Sequence, residues 1–155
     1  DNQKFWGAPN ATRAVIWTLL PGANEGKPDP YETLKQSVQI GEQKGVRLSH
    51  ALYAVAAQAS GDDAKIRDAL KTYAASQADD KPVNPNFKLI DSMAGLIVRG
   101  ISDRYWTEHT GVRTGDDGMS HFWDEKNEGS AELDELFDGG AASEAPADTK
   151  TAPAQ

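Results

Sequence analysis

Charge is distributed so unevenly along this chain that only its first 115 residues are expected to build a core. Residues 1–115 carry 14 Lys+Arg against 13 Asp+Glu, a net of +1, whereas residues 116–155 carry 2 against 11, a net of −9. A nearly neutral segment can collapse onto its apolar side chains. A run this acidic repels itself and buries too little to offset the entropy of ordering. The pattern predicts a folded domain over 1–115 followed by a mobile acidic tail over 116–155.

Within those limits the chain has room for one modest core, since only 38% of its 155 residues are hydrophobic and the foldable part is shorter still. The absence of cysteine excludes a disulfide framework, a thiolate metal site and a Cys nucleophile, but leaves the compartment open. We favour a cytoplasmic chain, with a secreted or periplasmic mature chain as the alternative. Asp1 is read as numbering that drops the initiator, in preference to a cleaved leader. The longest apolar run, Ala14 to Leu20, falls far short of the roughly 18 residues a membrane helix needs, so no membrane insertion is expected. Asn10-Ala11-Thr12 matches the glycosylation sequon, a tripeptide common by chance, and is read as unused.

Along the foldable part the apolar spacing is helical, and the fold class it predicts is all-α. Four to five helices are expected, packed around a central one over about 86–109. Residues 1–9 read as an irregular arm holding Phe5 and Trp6. The next run, to Leu20, is read as a short buried helix despite the strand propensity of Val15-Ile16-Trp17-Thr18. Asp29-Pro30-Tyr31-Glu32 is a helix start with a mechanism: the Asp side chain can accept from free amides of the first turn, and proline has no amide to leave unsatisfied. Gly45 should end that helix, Ser49 should cap the next and Gly61 stop it, and Asp62-Asp63 should open a fourth. In the last helix Phe87, Ile90, Ala94, Ile97, Ile101 and Tyr105 form one stripe. Leu89, Met93 and Leu96 widen it beyond the usual width for a surface helix, hence the central placement. The glycines at 111, 115 and 118 mark the expected domain boundary.

Chemistry-bearing constellations are sparse. His50, His109 and His121 form no pair at ligand spacing, so neither a metal nor any other cofactor is expected. Asp103, Glu108 and His109 cluster near the end of the last helix, where Glu108 as a general base would make a small hydrolase. The structural reading is preferred, because Arg104 and His109 suit the negative end of a helix dipole and Tyr105 and Trp106 suit a core. No nucleophile elbow, Walker loop or dinucleotide fingerprint is present. Lys44, Arg47, Lys65, Arg67 and Lys71 offer a weakly basic surface that a polyanion would use. Asp62, Asp63 and Asp68 are interleaved with them, and a solvated face of ion pairs is the stronger reading.

The tail carries two apolar islands that a merely solvating segment does not need. One contains Phe122 and Trp123; the other contains Leu133, Leu136 and Phe137, at i, i+3 and i+4. With Phe5 and Trp6 these are the candidate partner-binding residues. The expected function is a non-enzymatic interaction module, an adaptor, assembly factor or structural subunit that docks protein partners through its tail. Its composition resembles that of small accessory proteins of bacterial mobile elements or phage particles, and homo-oligomerisation is compatible with it. The alternative is a nucleic-acid-handling accessory protein whose tail modulates access to the basic surface.

Overall fold

The computed structural model describes residues 1–77 and 83–125. Five α-helices and no strand occur among them: α1 (Ala8–Leu19), α2 (Pro30–Lys44), α3 (Leu48–Ser60), α4 (Asp63–Ala75) and α5 (Lys88–Thr110), the last entered through a 3-10 turn at Pro85–Phe87. The all-α class read from the sequence holds. So does the helical reading of residues 12–19: Ala11, Ala14 and Val15 point into the core at helical spacing, and their burial outweighs local strand propensity.

Helix ends follow side-chain chemistry. Asp29 accepts from the Glu32 amide at 2.8 Å, with Pro30 in the first turn. Asp62 does the same for Lys65 at 3.2 Å. Gly45, Gly61 and Gly111 end α2, α3 and α5 in the left-handed conformation that glycine adopts without a Cβ penalty. Gly7 is required for a second reason. Besides its φ of 80°, a Cβ there would run into the Ser37 carbonyl, so α1 could not lie this close to α2. Ser49 is not the cap of α3. The helix begins one residue earlier, and the Ser49 hydroxyl instead donates to the Trp6 carbonyl at 3.0 Å, tying the N-terminal arm to the body.

The helix at the centre is α3 rather than the expected 86–109 segment. It packs against each of the other four helices, whereas α5 rests mainly on α3 and only lightly on α4. Ala51, Ala54, Ala56 and Ala57 are all buried there, and side chains this small let neighbouring axes approach closely on several sides at once. The girth of α5 has another meaning. Its inner face is Asp91, Ala94, Val98, Ile101, Ser102 and Tyr105, which leaves part of its apolar complement facing outward.

The compact unit runs from Asp1 to Trp123, eight residues beyond the boundary expected at Gly115. After Gly111 the chain folds back along α5. Thr114 is buried, its hydroxyl donating to the Ser102 hydroxyl at 2.8 Å and its amide to Asp103 at 3.2 Å, while Arg99 donates to its carbonyl at 2.8 Å. Trp106 Nε1 donates to the Gly118 carbonyl at 2.7 Å. Local charge density does not register the aromatic side chains that anchor this return.

Candidate interaction surface

Four large apolar side chains stand out from α5: Leu89 is 75% exposed, Met93 55%, Leu96 75% and Ile97 41%. At about 100° per residue these positions, with Gly100, fall within an arc of about 100° on the side facing away from the core. The stripe is held rigidly, because the opposite side of the same 23-residue helix is fixed in the core by Val98, Ile101 and Tyr105. A groove of about 410 Å³ runs beside it, with Tyr73, Gly95, Leu96 and Met119 in its walls. The sequence shows these residues as apolar and helical. What it conceals is the direction they face, which is set by Asp91 and Ser102 on the inner side.

Phe122 and Trp123, expected in a free tail, belong to an aromatic corner of the body. Phe122 is only 3% exposed and meets Tyr105 edge-on at 5.9 Å. Trp123 is partly exposed, stacks on His109 at 4.9 Å and meets Trp106 at 5.1 Å. The Arg67 guanidinium sits 4.8 Å from the Phe122 ring centre and 5.1 Å from that of Trp123, and its Nε donates to the Tyr105 hydroxyl at 2.9 Å. Phe122 is therefore a core residue. Leu133, Leu136 and Phe137 lie outside the described residues. At the other terminus, Phe5 is half-exposed, while Trp6 packs on Phe87 with ring centres 4.5 Å apart.

The five candidate polyanion contacts are not gathered on one surface. Arg47 is spent inside the protein, its Nε and its backbone amide both donating to Asp91 Oδ1 at 3.0 Å. Lys65 pairs with Asp62 and lies over the Tyr31 ring at 4.8 Å. Arg67 and Lys71 cover Phe122, and Lys44 is exposed at the end of α2. Most of the cationic side chains that a phosphate backbone would need are engaged with carboxylates or rings.

Asp103, Glu108 and His109 likewise point to different tasks. Asp103 holds the Thr114 amide and pairs with Arg99 at 3.2 Å. Glu108 accepts from Arg104 at 2.7 Å. His109 Nδ1 lies 2.8 Å from the Tyr105 carbonyl, which can only accept, so the proton sits on Nδ1 and Nε2 faces Asp63 at 3.7 Å. Glu108 and His109 line an open cleft of about 490 Å³ with Asp63, Ile66 and Arg104, but Asp103 is not among its lining residues. The acid-base set read from the sequence is therefore not assembled at one point.

A buried polar network went unread. His50 is fully buried, with Nε2 3.3 Å from Glu42 Oε1 and its ring edge-on to Tyr73 at 6.1 Å. Burial pushes its pKa below the ordinary 6.5, against the opposing pull of Glu42. His50 Nδ1 has no hydrogen-bond partner among the described residues. The available signal was Asp91, a carboxylate in register with Ala94, Val98 and Ile101 on an apolar face, which requires a cation opposite.

Among the described residues no group of three or more His, Asp or Glu side chains gathers to hold a metal ion. No helix there is long and apolar enough to cross a membrane. No family model matches the chain, and neither a curated protein nor a solved structure does.

Proposed function

We propose that this protein is a non-enzymatic interaction module, an assembly or adaptor subunit, whose contacts are made by the outer face of α5. The observation that carries the reading is the row of Leu89, Met93, Leu96 and Ile97 presented to solvent by a helix whose other side is locked in the core. Scattered exposed leucines need no explanation, but a contiguous apolar row on a rigid helix is the usual form of a helix-docking surface. Covering each of these side chains releases on the order of 1–2 kcal/mol, and the rigid backbone spares most of the ordering cost. The segment 133–137 is a second proposed docking element, on sequence grounds alone.

The test compares capture of binding partners by the wild-type chain and by the double variant Leu89→Gln, Leu96→Gln. The variant is expected to keep its helical circular dichroism and lose the partners. Identical capture by both chains, with folding intact, removes α5 from the interaction.

A further inference from the structure

The outer face of α5 is complementary to itself, and we infer that its partner is a second copy of this chain, docked antiparallel through α5. The inference rests on the reading of this face as a docking surface and names what occupies it. With a two-fold axis between Leu96 and Ile97, each large side chain of one copy meets something that accommodates it in the other. Leu96 faces Ile97. Met93 faces Gly100, where the structure is open: a Cβ at that position would meet nothing within 4 Å. Leu89 faces Arg104, whose methylene stem can cover it while the guanidinium stays with Glu108, 2.7 Å away.

Charge agrees with this pairing. The exposed Lys88 lies on the same flank of the helix as Asp103, and in antiparallel register the two come within about one helical turn across the interface. Antiparallel helix dipoles packed side by side also attract. A parallel arrangement loses each of these features. It separates Lys88 from Asp103 onto opposite flanks, sets Arg104 against Arg104, stacks Met93 on Met93, and leaves Gly100 facing Gly100 across a void.

The contact is small. One helix face supplies less than the roughly 800 Å² per partner of a standard interface, so the dimer forms in a concentration-dependent equilibrium and not as an obligate pair.

Sedimentation of the full chain over a concentration series from about 1 to 500 µM should show the weight-average mass rising from monomer towards dimer. Leu96→Glu should weaken that association at least tenfold, and so should Gly100→Leu, which fills the recess facing Met93 without lowering helix propensity. Because the chain has no cysteine, single replacements report the geometry. Oxidised Ile97→Cys should cross-link to its counterpart near the axis. Leu89→Cys should not, since its counterpart lies about 22 Å away along an antiparallel helix and a disulfide spans Cα separations of only about 7 Å.

Cross-linking at 89 overturns the antiparallel pairing. A monomer throughout the series overturns the inference, as does a dimer indifferent to Leu96→Glu. If the chain stays monomeric and the Leu89→Gln, Leu96→Gln variant still loses a different protein, the docking surface stands and only its occupant has been misassigned.

Discussion

Asp91 Oδ1 receives two hydrogen bonds from Arg47, one from its guanidinium Nε and one from its backbone amide, each 3.0 Å long. The side chains are 11% and 10% exposed, so the pair is largely withdrawn from water at the point where the start of α3 meets the first turns of α5. One oxygen thus satisfies an otherwise unpaired amide at the N-terminus of α3 and neutralises a buried cation.

Removing the carboxylate should be severe. Asp91→Ala leaves the Arg47 charge unpaired and is expected to cost about 3–5 kcal/mol. The joint replacement Arg47→Met, Asp91→Leu should recover much of that loss. Urea unfolding of the joint variant and of the single replacements Arg47→Met and Asp91→Leu measures the coupling, and additive losses would show that the two residues act independently.

His50 gives stability a defined pH dependence. Its pKa is lowered on folding, mainly by burial, so the folded state prefers the neutral ring, and the groups around it are Glu42, Arg47, Asp91 and Tyr73. Nε2 carries the proton shared with Glu42, so acid must charge the buried Nδ1, which has no partner among the described residues. The contribution is complete above the unfolded value of 6.5 and is lost as pH falls through the lower folded value. Unfolding midpoints should therefore decline between pH 7.5 and pH 5.5, and His50→Gln should flatten that decline. An equal slope in both proteins would assign the acid sensitivity to other groups.

Phe122 belongs to the body, so a chain ending at Gly115 should be markedly less stable than one ending at Glu125. Phe122→Ala in the full chain is expected to lose about 3–4 kcal/mol, the range for emptying a core aromatic site. Thermal unfolding decides the matter. A loss below about 0.5 kcal/mol would place Phe122 outside the cooperative unit.

Opposite faces of α5 should respond unequally. Leu89→Gln and Leu96→Gln are expected to change stability by no more than about 0.5 kcal/mol each, as at ordinary surface positions. Val98→Ala, one helical turn from Ala94 on the inner face, removes fully buried methyl groups and should cost about 2 kcal/mol. Guanidinium unfolding of the three variants gives the comparison directly.

Much of this architecture was legible in the sequence because capping chemistry is local. Asp29 and Asp62 mark helix starts by what their oxygens can accept, and Gly45, Gly61 and Gly111 mark stops by a backbone conformation other residues resist. Orientation was not local. A wide apolar band on 86–109 suggests the centre of a core, but Arg47, 44 residues earlier in the chain, draws Asp91 inward and so turns Leu89 and Leu96 outward. The candidate site was obscured for the same reason. Phe122 and Trp123 sit in an acidic stretch, and only the return of the chain along α5 reveals that Tyr105, Trp106 and Arg67 are waiting for them.

The aromatic corner also supplies the protein with a built-in optical gauge. Two of its four tryptophans, Trp106 and Trp123, lie 5.1 Å apart with their planes nearly perpendicular, and one of them rests on an imidazole. Indoles held this close in a chiral setting couple their electronic transitions. The near-ultraviolet circular dichroism of the unlabelled chain will therefore show whether residues 111–123 are seated on α5, separately from the helical signal of the rest.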